Sequence, residues 1–317
     1  MSSILTNVSA MTALKSLQST NKNLEATQNR ISTGLRVAEA QDNAAYWSIA
    51  TSMRSDNSSL STVKDALGFG AAQVDTAYTG TNAAHKVVTQ IKDKIISAMT
   101  PGLDKAKIQS EIKELQGQLK SIADSASFAG ENWLSVKSDA DDYTANKEIV
   151  ASFTRGAGGN ISVGTLTIDT SQTKLFDATA ASGTGAVKGL LDSDIDIAAP
   201  TGSAPAYSAF TFSIATLDVS TIDADALEAV VNEVVKVAGK LETSAATLGA
   251  AKTRIDLQNE FIGSLRDAID RGVGTLVDAD MNEESTRLQA LQVQQQLGIQ
   301  ALSIANGNSQ QILSLFR

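Results

Sequence analysis

An apolar residue recurs in alternating steps of four and three along nearly all of 49–98. The series runs Ile49, Met53, Leu60, Val63, Leu67, Val74, Ala77, Ala84, Val88, Ile91, Ile95 and Ala98, and only Asp56, Gly70 and Thr81 break it. An α-helix gathers residues at that spacing into one stripe, whereas a strand would scatter them over both faces. The stripe predicts one helix of roughly 50 residues, about 75 Å long at 1.5 Å per residue. A stripe of that length has to be covered by other helices.

Pro101-Gly102 stops this helix, because proline cannot continue the ladder and glycine suits a turn. Ile108, Ile112, Leu115, Leu119 and Ile122 repeat the spacing in a second helix, expected to end near Ala129-Gly130. A third stripe holds Leu227, Val231, Val234, Ala238, Leu241, Ala245, Leu248, Ile255, Ile262, Ile269, Val273 and Leu276. Lys252, Asn259 and Arg266 interrupt it at intervals of seven. An ideal helix drifts about 20° per heptad, so the apolar face is expected to move to neighbours such as Leu265.

The two ends are helical in pattern as well. Leu14, Leu17, Leu24, Ile31 and Leu35 form one seam with Asn21 and Gln28 as polar members, and Ser32-Thr33-Gly34 marks its interruption. At the other end Leu288, Leu291, Val293, Leu297, Ile299, Leu302 and Ile304 cover more than one face. A helix apolar on several sides needs partners on several sides. One N-terminal helix does not supply them, so the pattern points to self-assembly.

The middle differs. Glycine, serine, threonine and aspartate rise between about 139 and 223. Ile149 to Arg155, then Gly156 to Asn160, then Ile161 to Asp169 reads as a β-hairpin with a long turn. Phe210, Phe212 and Ile214 alternate with small or polar residues and suggest another strand, and Pro200 to Pro205 reads as a loop. The fold class expected is mainly α: a long-helix coiled coil and helical bundle formed by both chain ends, with a small β-containing central insertion.

Composition excludes several kinds of chemistry. Cysteine is absent, so neither a disulfide framework nor a thiolate metal site forms. The only histidine, His85, sits on a helix between Ala84 and Lys86 and reads as a partly exposed side chain. A net charge of −9 argues against a nucleic-acid surface. The first residues lack the positive charge and sustained apolar core of a secretory signal. Leu288 to Phe316 is uncharged but carries eight glutamines, so it is expected to bury against protein rather than lipid. Asp192-Ser193-Asp194-Ile195-Asp196 resembles the start of a calcium loop, yet Ile197 and Ser203 stand where glycine and a bidentate acid are required. Gly183-Thr184-Gly185 with Gly189 has the wrong spacing for a dinucleotide fingerprint. No catalytic residue, metal ligand or cofactor is expected, and the chain is read as no enzyme.

Specific residues at the two ends carry a resemblance. At the N-terminal end these are Ile4-Leu5-Thr6-Asn7, Asn29-Arg30-Ile31-Ser32-Thr33-Gly34-Leu35-Arg36-Val37 and Ala40-Gln41-Asp42-Asn43-Ala44-Ala45. At the other end they are Leu248-Gly249-Ala250, Arg254-Ile255-Asp256, Asp278-Ala279-Asp280, Glu284, Gln294-Gln295-Gln296, Ala305-Asn306 and Leu313-Ser314-Leu315-Phe316-Arg317. Together these blocks resemble the bacterial flagellin family over roughly 1–135 and 225–317. The Ala45-Tyr46-Trp47-Ser48-Ile49-Ala50 run is similar to flagellins of soil alphaproteobacteria.

The resemblance implies a structural subunit that polymerises into the flagellar filament, the propeller for swimming motility. It implies an inner coiled-coil polymerisation domain from 1–40 and 275–317, with Leu14, Leu17, Leu24 and Ile31 against Leu288, Leu291, Leu297, Leu302 and Ile304. An outer bundle with the β-hairpin would take 41–170 and 223–274, its seam holding Leu60, Val63, Leu67, Ile91, Ile95, Ile112, Leu115, Leu241, Leu248 and Ile255. Residues 171–222 would be a surface-exposed variable insertion.

Partners implied are further copies, other flagellin isoforms, the type III flagellar export apparatus, an export chaperone, the filament cap and hook–filament junction proteins. Neither nucleic acid nor membrane is among them. The product would be secreted and extracellular. In similar proteins animal and plant receptors read two stretches. Here Gln90 and Lys94 replace the usual arginine and leucine of one, while Gln41, Tyr46 and Trp47 depart from the other. A hook–filament junction protein, an enzyme carried on such ends and a coiled-coil adhesin are the competing readings. The first is disfavoured by both terminal signatures, the second by the lack of a nucleophile or metal constellation within 140–225. An adhesin has no need of an uncharged C-terminal helix.

Overall fold

The computed structural model describes residues 7–140, 143–156, 158–178, 188–199 and 207–314. Five helices dominate the order of elements: α1 (Val8–Thr33), α2 (Ala44–Ala98), α3 (Lys105–Ser125), α4 (Ala224–Val277) and α5 (Met281–Ser314). Between α3 and α4 the described residues form eight strands, β1 (Ser127–Phe128) through β8 (Phe210–Phe212). The chain separates into two compact units, 1–58 with 265–317 and 59–264.

In the unit formed by 59–264 the core joins the predicted seam to buried residues of the strand-containing region, among them Leu134, Leu175, Leu191 and Leu217. Leu60, Val63, Leu67, Val74, Ala77, Ala84, Val88, Ile91, Ile95 and Ala98 of α2 are all buried. Ile112 and Leu119 of α3 and Leu227, Val234, Leu241, Ala245, Leu248, Ile255 and Ile262 of α4 are buried too. Gly70 and Thr81, the polar or small members of the α2 seam in this unit, have physical reasons. A Cβ at Gly70 would lie 2.6 Å from Ile149, so glycine lets the hairpin seat against the helix. The buried Thr81 hydroxyl donates to the Ala77 carbonyl at 2.9 Å.

The hairpin is β4 (Asn146–Arg155) against β5 (Ile161–Asp169), antiparallel, with an irregularity between Val150 and Ser152. Ile149, Leu166 and Ile168 are its buried residues. Other pairings were not legible in the pattern. One is the parallel pair of β3 (Ser135–Val136) and β6 (Phe176–Asp177), and another the antiparallel pair of β7 (Ile195–Ile197) and β8. Ile214 lies past the end of β8 and is fully buried in a turn. Gln109 and Gln116 of α3 hold that connection, donating to the Leu217 and Ile214 carbonyls at 3.1 and 3.0 Å.

Two expectations are corrected here. Helix α3 ends at Ser125 rather than near Ala129-Gly130. Ala129 and Gly130 are instead the turn of a small hairpin, Ser127–Phe128 against Glu131–Asn132, with φ of +52° and +88°. A two-residue turn of that kind needs positive φ at both positions. Of the polar members of the α4 stripe, Lys252 and Arg266 have partners. Lys252 forms an ion pair with Asp75 of α2, within the 59–264 unit. Arg266 Nε donates to Asn57 Oδ1 at 2.9 Å, within the terminal unit. Leu265 is only half-buried.

In the terminal unit, α1 packs along α5. A small cluster joins Val37, Ala50, Val273 and Val277, with Leu35, Met53, Ile269 and Leu276 against it. The loop expected at Pro200 to Pro205 and the Gly183-Thr184-Gly185 run lie outside the described residues.

Candidate self-assembly face

Asn7 begins α1. Its side chain accepts from the Ala10 N–H at 3.0 Å and its Nδ2 donates across to the Ala305 carbonyl of α5 at 2.9 Å. Along the pair, a Cβ at Gly298 would lie 3.1 Å from Leu17, so the helices are close where leucine meets glycine. Gln295 Nε2 donates to Asn21 Oδ1 at 2.8 Å, which accounts for one polar member of the α1 seam. Arg30 reaches Glu284 at 3.2 Å, and Arg287 reaches the same Oε1 at 3.5 Å. Glu284 is buried, so two guanidinium groups share one carboxylate in a site of low dielectric.

Both helices break at the same level. Gly34 caps α1 at φ +73° and its N–H donates to the Arg30 carbonyl at 2.8 Å. Leu35 and Asp278 form an isolated antiparallel bridge, Arg36 N–H donates to the Val277 carbonyl at 2.6 Å, and Ala279 N–H donates to Gly34 at 2.9 Å. Asp280 then starts α5, accepting from the Asn282 N–H at 2.9 Å. Asn43 Oδ1 accepts from Ala45 and Tyr46 N–H at 3.1 Å each and starts α2. The short run between α1 and α2 is closed by Asp42, whose Oδ2 accepts from the Ala38 and Glu39 N–H groups.

The outer sides of the pair are uncovered. Leu17, Leu24, Ile31, Leu288 and Leu302 are half-buried, and Leu291 is buried. Leu14, Val293 and Ile299 are exposed, Leu297 is 58 % exposed and Ile304 is 65 % exposed. Val8 and Met11 of α1 are exposed too. Apolar residues on several sides of one helix pair form a face that a single chain leaves wet. Of the bundle positions, Leu60, Val63, Leu67, Ile91, Ile95, Ile112, Leu241, Leu248 and Ile255 are buried and Leu115 is half-buried.

Chemistry-bearing residues do not converge. The carboxylates of the 192–196 run go to separate partners. Asp192 accepts from the Asp177 N–H at 2.8 Å, Asp194 pairs with Lys188 at 2.6 Å, and Asp196 accepts from Thr211 at 2.6 Å. Burial pushes the Asp192 carboxyl above its ordinary range, against the pull of backbone N–H donors. Its Oδ1 is buried without a partner among the described residues. His85 Nε2 lies 3.2 Å from Glu242 on a half-exposed site. Among the described residues no three metal-ligating side chains gather, and no helix is long and apolar enough to cross a membrane. Gln90, Gln41, Tyr46 and Trp47 are exposed, while Lys94 pairs with Glu111 at 2.5 Å.

Residues 4–139 match the family described as the bacterial flagellin N-terminal helical region, and residues 231–316 match its C-terminal helical region. Flagellin C of Rhizobium meliloti strain 1021 is 50 % identical over 323 residues, with the whole of both chains covered. The chain belongs to the bacterial flagellin family. Flagellin of Brucella melitensis biotype 1 is 48 % identical over 318 residues, and Flagellin A of Rhizobium meliloti strain 1021 is 44 % identical over 397, each covered in full along with this chain. As a flagellin it is a structural subunit of the bacterial flagellar filament, not an enzyme. The Gly34 cap and the Leu35–Asp278 bridge are built from this flagellin's own terminal motifs. Sequence reasoning placed those motifs without seeing that Asp278-Ala279 meets Gly34-Leu35.

Proposed function

We propose that this flagellin builds its filament by laying the outer sides of the α1–α5 pair against the same pair in neighbouring copies. The observation that carries this is the exposure of Val293, Leu297, Ile299 and Ile304 on a helix whose inner side already has its partner in α1. Each such side chain gains about 1.5–3 kcal/mol on full burial, and a helical polymer covers several at once. In this reading 1–40 with 275–317 form the inner polymerisation layer, 41–170 with 223–274 the outer bundle, and 171–222 an insertion carried on that bundle, with Leu175, Leu191, Ile214 and Leu217 as its buried anchors.

Further copies and other flagellin isoforms are the polymer partners, since one Rhizobium strain carries both a Flagellin A and a Flagellin C. The chain passes a flagellar export apparatus with a chaperone, joins the hook through junction proteins and adds beneath a cap, outside the cell. Gln90, Lys94, Gln41, Tyr46 and Trp47 weaken reading by animal and plant receptors, because changed charge and bulk in a fitted interface oppose binding. A reporter-cell response equal to that of a typical enteric flagellin overturns that part.

Electron microscopy of purified chain under polymerising conditions tests the main reading. Filaments are expected from the parent and none from Leu297→Asp, whose circular dichroism and unfolding midpoint stay at parental values. Filaments of normal length from Leu297→Asp overturn it.

A further inference from the structure

Asn306-Gly307 is the only Asn-Gly step in the chain. It lies in the last turns of α5, before Ser314. Asn306 is exposed, and a Cβ at Gly307 would meet nothing within 4 Å among the described residues. The glycine therefore answers no packing need, although helix interiors disfavour it. What it supplies is an unhindered backbone nitrogen beside a side-chain amide. In an extended or turn conformation that nitrogen reaches the amide carbon. The helical ψ of about −42° turns it away.

What holds this turn helical is the other end of the chain. Asn7 Nδ2, at the start of α1, donates to the carbonyl of Ala305, the residue before Asn306, at 2.9 Å. Helix α1 buries only Thr27, so its grip on α5 is slight. Segments with few buried contacts open first. In a lone subunit the two ends fray together and Asn306 leaves the helical conformation. Neighbouring copies hold the pair closed, a step that rests on the polymerisation face proposed above.

We propose that Asn306 is a spontaneous deamidation site, open in the unassembled subunit and closed in the filament. The Gly307 nitrogen attacks Asn306 Cγ and forms a C–N bond. The side-chain nitrogen leaves as ammonia, carrying the proton from Gly307. Water then opens the cyclic imide at either carbonyl, giving aspartate or isoaspartate, and is the only co-reactant. Either product puts a carboxylate into Leu288–Phe316, which otherwise carries no charge. Isoaspartate also lengthens the backbone by a methylene and breaks the helical repeat. An unpaired carboxylate is costly to bury against neighbours, so the converted chain is excluded from the polymer. A subunit left unassembled thus loses its competence to join.

Peptide mass spectrometry with isoaspartate labelling tests this on the full chain, held at mildly alkaline pH as dilute monomer and as filaments. Asn306 is expected to convert in the monomer and at least about tenfold more slowly in filaments. Asn160, followed by the branched Ile161, is the internal reference and is expected to keep its amide. Gly307→Ala, whose methyl hinders the attacking nitrogen, is expected to slow conversion in the monomer. Asn306→Asp is expected to keep the parental core unfolding transition and to fail to polymerise. The proposal is overturned if Asn306 keeps its amide in the monomer, if filaments convert as fast as monomer, or if Asn306→Asp assembles like the parent. Filaments from Leu297→Asp overturn the polymerisation face alone, because amide loss is compared between parental monomer and parental filament without that variant.

Discussion

Leu35 and Asp278 face each other in a single antiparallel bridge, 243 positions apart in the chain. The bridge sits where α1 and α5 both begin or end, so the two helix breaks are tied by backbone hydrogen bonds. It depends on Gly34 turning the chain at φ +73°. A Cβ there meets nothing within 4 Å, so Gly34→Ala is penalised through backbone conformation alone, by about 1 kcal/mol. Thermal disassembly of filaments is expected at a lower midpoint in the variant. An unchanged midpoint would mean that the left-handed cap is unimportant to the assembled subunit.

Leu248 lies mid-seam in α4 with no exposed surface, and Leu257 on the same helix is 62 % exposed. Leu248→Ala removes buried methyl groups and leaves a cavity, and is expected to cost ~2–5 kcal/mol. Leu257→Ala is expected to stay within about 0.5 kcal/mol. Denaturant unfolding of the monomer compares the two directly. Equal small losses would place Leu248 outside the cooperative core.

The seam was legible because helical period and burial are one fact seen twice. Steps of four and three from Leu60 to Ala98 return buried residues at every apolar position. What the period could not supply was the partner of each exception. Gly70 reads as a flaw in the stripe until Ile149 is seen to occupy its space. Lys252 reads as drift until Asp75 appears beside it. Both partners lie far away in sequence, and nothing local encodes them. The pairing of Ser135–Val136 with Phe176–Asp177 was invisible for the same reason, since two-residue strands carry no period at all. At the ends the reverse holds. The surplus of apolar positions in α5 was plain in the sequence, and the structure leaves Leu297 and Ile304 in solvent.

Two carboxylates of the 59–264 unit respond to acid in opposite directions. Burial raises Glu131, but hydrogen bonds from Trp133 and Gln73, with Lys147 beside it, outweigh burial and hold the carboxyl below its ordinary range. A depressed folded-state pKa stabilises above the unfolded value, and that contribution is lost as pH falls through the folded one. Asp192 is raised by burial, with Asp177 nearby adding to the effect. Its ionisation opposes folding at neutral pH, and this opposition is relieved as pH falls through the raised pKa toward the ordinary one. Glu131→Gln is therefore expected to lose stability at pH 7 and to flatten the acid-side fall. Asp192→Asn is expected to steepen that fall by removing the compensating gain. Urea midpoints of the monomer measured from neutral pH down past the ordinary carboxylate range check both slopes. The same slope change in both variants would contradict the assignment.

Folding of the chain ends is expected to be coupled to polymerisation. Along α1 the only buried residue is Thr27, while Leu17, Leu24 and Ile31 are covered in part. On α5 Leu291 is buried, but Val293, Leu297, Ile299 and Ile304 are not. Ordering each residue costs about 1–2 kcal/mol in backbone entropy, so a helix pair that buries so little does not repay its own ordering in dilute solution. Neighbouring copies supply the missing cover, and the gain then appears only on assembly. Brief protease treatment of dilute full-length monomer is expected to remove roughly the first 40 and last 40 residues, because stability is lowest where buried contacts are fewest. The remaining core should keep its unfolding transition and fail to polymerise. The same treatment of filaments should spare both ends. Leu302→Asp should block filament growth while the monomer's core transition stays unchanged. Protease resistance of both ends in dilute monomer would mean that α1 and α5 are stable as a lone pair, and assembly would then join preformed subunits without folding them.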